Sequence, residues 1–221
     1  TDALLGGLNK VVVRVEDVST DLEQPRGKQY WEKESEGIFY TRTTGIWQTV
    51  WLEPVNHSFI ERVKLTPNID TGEVTVEYLI QNRSEKQELE IEIYSQDLVV
   101  AKESRKVNLD QRKNKQVVLL KDFESGNGKL WSPEQPFLYT IKLCLKVDNE
   151  IVDKVESYFG MRKISINNGK IELNNKPYYM KLVLDQGYYP DSLLTAPTDE
   201  AIKRDIELTK EMGFNGVRKH Q

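Results

Sequence analysis

Between Asn56 and Phe159 the sequence alternates apolar and polar residues in short runs. Because successive side chains of a β-strand point to opposite faces, this period of two predicts strands with one buried face. The apolar positions predict about seven strands, which include Val63 and Leu65, Val74 to Ile80, Leu89 to Ile93, Leu98 to Ala101, Gln116 to Leu120, Tyr139 to Val147, and Ile151 to Phe159. The pattern therefore predicts an all-β domain over these residues.

Turn-forming residues separate the predicted strands. They lie at Pro67 to Gly72, Asn82 to Ser84, Ser125 to Gly128, and Asp148 to Asn149, and Gly, Pro, Asn and Asp are favoured in tight turns. About seven short strands in roughly a hundred residues are typical of an immunoglobulin-like β-sandwich. The single cysteine, Cys144, rules out the paired cysteines of antibody domains, so the prediction covers the architecture only.

The residues before this domain follow a different pattern. Leu8 to Glu16 and Ile46 to Leu52 are predicted as strands, whereas Asp17 to Tyr40 is a long polar connection without periodicity. Two strands and one loop cannot close a sandwich, and so long a loop is uncommon inside a compact domain. We therefore expect residues 1–55 to be the end of a larger β-domain.

Two tryptophans lie in the second of these predicted strands. Trp47 and Trp51 are four residues apart, which puts them on the same face of a strand. Aromatic faces can stack on sugar rings, but large aromatic side chains on one strand face more often pack in a core. We expect Trp47 and Trp51 to be core residues.

The chain after Gly160 predicts a hairpin. Ile164 and Ile166 are expected to face Ile171 and Leu173 across Asn167 to Gly169, whose residues tolerate a positive φ angle. A second turn, Asn174 to Pro177, leads into the next apolar run.

The final stretch predicts a strand, a helix and a second strand. Tyr178 to Leu184 is a short apolar run, and Phe214 to Val217 begins another. Between them, Thr198 suits the N-cap of a helix and Gly213 suits its end. The helix would carry an apolar face made of Ala201, Ile202, Ile206, Leu208 and Met212. This order is a complete βαβ unit.

The strands of a βαβ unit are normally parallel and require further parallel neighbours, because such sheets bury both faces. A (β/α)8 barrel is built from such units, and its active-site residues lie on the loops that follow the strands. Asp185, Gln186 and Tyr188 follow the first predicted strand, and Arg218 and His220 follow the second. These five residues are the candidate site.

Composition limits the classes of function. The chain has 221 residues with 31 basic and 35 acidic side chains and a net charge of −4, so it has no basic excess of the kind that nucleic-acid binding requires. One Cys and two His cannot supply a four-ligand zinc site. The longest apolar runs, such as Val117 to Leu120, are far shorter than the roughly 20 residues that cross a bilayer. We expect no metal, nucleic-acid or membrane partner. The sequence does not determine the cellular compartment.

Three stretches resemble one known family. VLDQGYYPDSLLTAPTDEAIKRDIELTKEMGFNGVRKHQ (Val183 to Gln221) resembles the start of the catalytic barrel of family 2 glycoside hydrolases, which include β-galactosidases, β-glucuronidases and β-mannosidases. GIWQTVWLEP (Gly45 to Pro54) resembles the last strand of the family's jelly-roll sugar-binding domain. LWSPEQPFLY (Leu130 to Tyr139) resembles a signature near the end of its immunoglobulin-like domain. The three matches occur in the family's order.

The resemblance implies three parts and a mostly-β fold. Residues 1–55 would be the end of the jelly roll, residues 56–160 the immunoglobulin-like sandwich, and residues 161–221 the start of a (β/α)8 (TIM) barrel. The resembled enzymes use two glutamates in a retaining mechanism, with the carboxyl groups about 5 to 5.5 Å apart. We expect both glutamates beyond Gln221, so the chain would be an inactive internal fragment of a β-glycosidase without a cofactor.

The resemblance also implies sugar-contact roles for Asp185, Arg218 and His220, while Gln186 and Tyr188 could add an amide and an aromatic surface. The alternative is structural: Asp185 caps its loop, and Arg218 holds it through a charge-assisted pair. At the level of the whole chain two alternatives stay open, a non-catalytic carbohydrate-binding or spacer sandwich and an unrelated barrel hydrolase. The sugar, the linkage and the oligomeric state are not determined by the sequence.

Overall fold

The structure is a computed structural model that describes residues 6–220. The chain divides into two compact units, one formed by Leu52–Tyr179 and the other by Thr1–Trp51 together with Met180–Gln221.

The unit Leu52–Tyr179 contains two antiparallel sheets. Its first seven strands are β1 (Phe59–Asn68), β2 (Glu73–Gln81), β3 (Gln87–Ser95), β4 (Leu98–Lys106), β5 (Lys113–Leu119), β6 (Tyr139–Val147) and β7 (Glu150–Phe159), and a short helix, α1 (Lys121–Glu124), follows β5. One sheet has the order β1-β2-β5 and the other the order β4-β3-β6-β7. All seven strands predicted from the alternating pattern are confirmed.

One hydrophobic core lies between these strands, and β2, β3 and β6 each bury every second side chain in it. In β2 the buried residues are Val74, Val76, Tyr78 and Ile80, and in β3 they include Leu89, Ile91 and Ile93. β6 adds Tyr139, Ile141, Leu143 and Leu145 to the same cluster. The opposite face carries charged side chains, such as Glu90, which pairs with Lys102 at 3.5 Å and with Lys146 at 3.1 Å.

The predicted hairpin is also present. β8 (Ile164–Asn167) pairs with β9 (Lys170–Leu173), which in turn pairs with β10 (Lys176–Pro177). Asn167 pairs with Lys170, so the loop has the two residues Asn168 and Gly169, whose φ angles are 48° and 72°. Positive φ at both positions is the type I′ geometry, which Asn-Gly strongly favours.

The other unit differs from the prediction in its first part. Neither Leu8 to Glu16 nor Ile46 to Leu52 forms a strand, and residues 6–55 contain turns and isolated bridges only. The predicted strands are wrong here because an apolar run becomes a strand only when another backbone accepts its hydrogen bonds. Trp47 and Trp51 are 49% and 71% exposed, so the expectation that they are core residues is also wrong.

The βαβ unit is formed as predicted. β11 (Leu182–Asp185) and β12 (Gly216–Lys219) are parallel, and α2 (Asp199–Glu211) connects them. Thr198 Oγ1 accepts a hydrogen bond from the Ala201 amide at 3.2 Å, which confirms the predicted N-cap. β11 begins four residues later than the predicted run. No residue of α2 is buried, so its predicted apolar face lies exposed in this unit.

The fold is mostly β with few helices, as predicted. No helix of residues 6–220 has both the length and the apolar character needed to span a membrane. The division into residues 1–55, 56–160 and 161–221 stays a prediction.

Candidate functional site at the ends of the parallel strands

The register of the parallel pair brings the ends of β11 and β12 together. Leu184 pairs with Arg218 and Asp185 with Lys219, and the His220 amide donates to the Asp185 carbonyl at 2.9 Å. The loop that contains Gln186 and Tyr188 therefore starts beside the end of β12. This places the candidate residues at one edge of a two-stranded sheet, as the βαβ prediction required.

Asp185 is held on both of its carboxylate oxygens. Its Oδ2 accepts from Lys219 Nζ at 2.8 Å, and its Oδ1 accepts from the Gly187 amide at 2.8 Å. The second bond means that Asp185 caps its own loop, one of the two readings from the sequence. The partner of Asp185 is Lys219 and not Arg218, which the structural alternative named, because alternate side chains point to opposite faces and Lys219 lies beside Asp185 in the register.

Gln186 is joined to a distant part of the same unit. Its Oε1 accepts from Lys28 Nζ at 2.9 Å, although 158 positions separate the two residues in the sequence. Both side chains are partly buried. Gly187, the next residue, has a φ of 74° and lies so close to Lys219 that an added Cβ would be 2.9 Å from its Nζ. Two lysine ammonium groups thus lie against this loop.

Tyr188 stacks on Tyr40, with the ring centroids 4.4 Å apart and the planes 14° from parallel. Burial raises the pKa of the Tyr188 hydroxyl above its ordinary value, and the neighbouring Tyr40 raises it further. Tyr188 therefore stays protonated at neutral pH and can act as a hydrogen-bond donor or acceptor. One face of its ring, by contrast, is occupied by Tyr40.

The two residues after the second strand differ in environment. Arg218 is exposed, which leaves its guanidinium in solvent. His220 is half-buried, and its Nδ1 is a buried atom without a hydrogen-bond partner among the described residues. An imidazole nitrogen that is buried without a partner is costly, so His220 is the residue of this site for which a ligand would supply a missing contact.

Sequence reasoning missed Lys28, Tyr40 and Lys219. Lys219 stands between two candidates, Arg218 and His220, and the strand register could have identified it as the neighbour of Asp185. Lys28 and Tyr40 lie in the long polar connection, where no periodic pattern exists. Only their tertiary contacts with Gln186 and Tyr188 reveal them.

This arrangement can bind a polar ligand but contains no acid–base pair of carboxyl groups. The strand ends offer ammonium, carboxylate, imidazole and phenol groups within one loop cluster. Nowhere in residues 6–220 do three or more His, Cys, Asp or Glu side chains form a group that could hold a metal ion. The chemistry of the cluster is that of hydrogen bonding to hydroxyl or carboxylate groups.

Comparison with known proteins supports the resemblance to one family. Residues 58–162, the span of the two sheets, match the family model described as glycosyl hydrolases family 2. The match covers slightly less than half of the chain. The resemblance found in the sequence is thereby confirmed.

Curated relatives extend the similarity beyond residues 58–162. A β-glucuronidase of Streptococcus agalactiae is 27% identical over 169 residues, which are 76% of this chain and 25% of that enzyme. A β-galactosidase of Vibrio vulnificus is 27% identical over 188 residues, which are 79% of this chain and 18% of that enzyme. The chain thus spans about a quarter or less of the length of these relatives.

Solved structures agree with this fold. A glycosyl hydrolase family 2 member from Bacteroides cellulosilyticus matches with a TM-score of 0.63 and 26% identity, covering 75% of this chain and 22% of that one. A putative β-galactosidase from Bacteroides fragilis matches with a TM-score of 0.62 at 24% identity, covering 76% and 27%. The second likeness concerns the fold alone.

Proposed function

We propose that this chain is part of a retaining glycoside hydrolase that cleaves β-glycosides of the galactoside, glucuronide or mannoside type. The observation that carries the proposal is the parallel pair β11 and β12, joined by α2, with a cluster of polar side chains at its strand ends. Two parallel strands bury neither face and need neighbours. A (β/α)8 barrel supplies them and puts its chemistry at these ends.

The proposed division has residues 56–160 as an immunoglobulin-like sandwich and residues 161–221 as the start of the barrel. The seven strands in two antiparallel sheets support the sandwich, since this number and arrangement are typical of that fold. Residues 1–55 would be the end of a jelly roll. The exposed apolar side chains of that region, among them Val50 and Leu52, support a missing β-partner.

The catalytic glutamates are proposed to lie outside this chain. The ends of β11 and β12 carry Asp185 and Lys219, and neither is a glutamate. A retaining mechanism needs two carboxyl groups about 5 to 5.5 Å apart on either side of the anomeric carbon. The Asp185 carboxylate already accepts hydrogen bonds from Lys219 and from the Gly187 amide. These bonds fix its position, which suits a binding or positioning role. The chain alone is therefore expected to be inactive.

The strand-end residues are proposed to contact the sugar. His220 would use its unpaired Nδ1, and Arg218 its exposed guanidinium, which can donate two parallel bonds to a carboxylate or to neighbouring hydroxyls. Asp185, Gln186 and Tyr188 would accept from or donate to hydroxyl groups at the other strand end. The hydrogen-bonding capacity of these groups supports this role.

The test is a titration of the isotope-labelled chain with galactose, glucuronate and mannose, followed through backbone amide resonances. A part of a site should bind weakly, with a Kd on the order of 1 mM or higher, and should shift resonances of Asp185 to Tyr188 and of Arg218 to His220. Asp185→Asn should abolish the shifts, whereas Asp191→Asn, an exposed position of the same loop, should not. Turnover of a nitrophenyl glycoside by the chain alone would contradict the assignment of the glutamates.

A second candidate function is a carbohydrate-binding or spacer sandwich. One observation favours it: the family match covers residues 58–162, which contain the sandwich and no part of the parallel pair. The same titration separates the two proposals. Shifts confined to the strands β1 to β7 would favour the sandwich as the binding element, and shifts at the strand ends would favour the barrel site.

A further inference from the structure

We propose that Asn168 is a site of spontaneous deamidation, and that the fold protects the other two Asn-Gly sequences of the chain. The Asn-Gly pairs are Asn127-Gly128, Asn168-Gly169 and Asn215-Gly216. All three share the local chemistry that favours this reaction, because glycine has no side chain to hinder attack by its amide nitrogen. Their surroundings differ.

The reaction consumes water and releases ammonia. The Gly169 amide loses its proton to base, and its nitrogen forms a bond to the Cγ carbon of Asn168. The bond between Cγ and Nδ2 breaks, and the leaving amine takes up a proton to depart as ammonia. Water then opens the resulting five-membered imide at one of its two carbonyl carbons. One product is aspartate, and the other is isoaspartate, in which the backbone runs through the former side chain.

Asn168 and Gly169 are both exposed at the tip of the hairpin. No side-chain hydrogen bond of Asn168 occurs within residues 6–220. Apart from the adjoining residues, no atom lies within 4 Å of the position of a Cβ on Gly169. The turn is therefore open to solvent at both residues.

The strands next to this turn can separate at low cost. Formation of the imide requires a backbone rotation that the type I′ turn does not allow, so the hairpin must open locally. Of the three isoleucines of the hairpin, Ile164, Ile166 and Ile171, each is at least 40% exposed. Elements with few buried apolar contacts open with small free energies. Opening at the tip therefore leaves the core of the unit intact.

Asn127 is held at several points. Its amide donates to the Asp122 carbonyl at 2.7 Å, and its Nδ2 donates to Ser125 Oγ at 3.2 Å. Gly128 lies against the ring of Phe123, where an added Cβ would be 2.4 Å from a ring carbon. The ring of Phe123 therefore leaves Gly128 little room to move.

Asn215 is held more firmly still. Its Oδ1 accepts from the Lys181 amide at 2.8 Å, and its own amide donates to the Lys181 carbonyl at 3.0 Å. Gly216 belongs to β12 and pairs with Leu182. The carbonyl group of the Asn215 side chain is thus engaged, and its neighbour is fixed in a sheet.

The two products at Asn168 should differ in their effect. Aspartate tolerates the left-handed conformation and also suits a type I′ turn, so that product should keep the hairpin. Isoaspartate adds a methylene group to the backbone between Asn167 and Lys170, whose pairing closes the hairpin. That product should lose this pairing. Both products add one negative charge to the chain.

The test is a time course of peptide mapping by mass spectrometry on the folded chain, at neutral and at mildly alkaline pH. Folded protein should deamidate at Asn168 at least about tenfold faster than at Asn127 or Asn215, a factor that corresponds to about 1.4 kcal/mol of extra local opening. The rate should rise with pH. In denaturant the three sites should react at similar rates, because each is an Asn-Gly pair.

Two variants complete the experiment. Asn168→Asp provides the reference for the aspartate product and should show no further mass change at this site. Asn168→Ser should remove the fast phase and leave the slow rates at Asn127 and Asn215 unchanged. Equal rates at the three sites of the folded chain would overturn the proposal, as would faster reaction at Asn127 or Asn215.

Discussion

The hydroxyl group of Tyr139 donates a 2.6 Å hydrogen bond to Oδ2 of Asp122, and both residues are buried. The same hydroxyl accepts from the Lys129 amide at 2.9 Å. Burial raises the pKa of Tyr139, and the hydrogen bond to Asp122 raises it further, so the phenol keeps its proton. The Tyr139 hydroxyl thus links β6 to α1 through Asp122 and to the following segment through Lys129.

Removal of the Tyr139 hydroxyl should destabilise the unit Leu52–Tyr179. Tyr139→Phe leaves the Asp122 carboxylate and the Lys129 amide without this partner, and an unsatisfied buried group costs about 1–3 kcal/mol. Tyr158→Phe is the matched control, because Tyr158 is exposed on the adjacent strand. Urea unfolding should show a lower midpoint for Tyr139→Phe only. Equal midpoints for the two variants would contradict this account.

Asp70 should make stability depend on acid pH. Its carboxylate accepts from Lys163 Nζ at 2.6 Å and from Asn175 Nδ2 at 2.7 Å. The bond from Lys163, followed by that from Asn175, lowers the pKa of Asp70. A carboxyl group with a lowered folded pKa stabilises the protein above its unfolded pKa, about 3.9, and this contribution is lost as pH falls through the folded pKa.

The measurement compares the free energy of unfolding of wild type and Asp70→Asn from neutral pH to acid pH. Wild type should be the more stable protein above about pH 4, and the difference should shrink at lower pH. Asp97→Asn, a substitution in an exposed turn, serves as control. A difference that stays constant over the whole range would show that Asp70 does not act through its charge.

Two glycines should separate backbone strain from steric overlap. Gly126 has a φ of 75° with no atom within 4 Å of the position that an added methyl group would take, whereas Gly72 has a φ of 69° and would place that methyl carbon 2.5 Å from Phe123 Cβ. Gly126→Ala should cost about 1–2 kcal/mol from the left-handed conformation alone. Gly72→Ala should cost more, because Phe123 must also move. Thermal unfolding of both variants checks the order, and a smaller loss for Gly72→Ala would refute it.

The N-cap of α2 should decide whether this helix forms in the isolated chain. Thr198→Ala removes the acceptor for the Ala201 amide and should cost about 1 kcal/mol of helix stability. α2 has no buried residue, so packing cannot compensate for the loss. Amide hydrogen exchange over Asp199–Glu211 should become faster in Thr198→Ala and remain near wild type in Thr198→Ser, which keeps a hydroxyl. Unchanged exchange in both variants would exclude a role for the cap.

The sequence by itself determined those secondary-structure elements that depend on neighbouring residues. Alternating side chains predicted the strands from β1 to β7, because burial of one face requires a period of two. The turn at Asn168 and Gly169 followed from residues that accept a positive φ, and the start of α2 followed from the capping hydroxyl of Thr198. Each of these features depends on residues that are near one another in the chain.

Tertiary structure decided the features that depend on a partner far away in the sequence. Leu8 to Glu16 has the composition of a strand but no strand forms, because no neighbouring backbone pairs with it. Asp185 pairs with Lys219 and not with Arg218, since a register change of one residue reverses which side chain faces it. The contact of Lys28 with Gln186 crosses 158 positions. Sequence alone specifies which conformations each segment prefers, and packing selects which side chains meet.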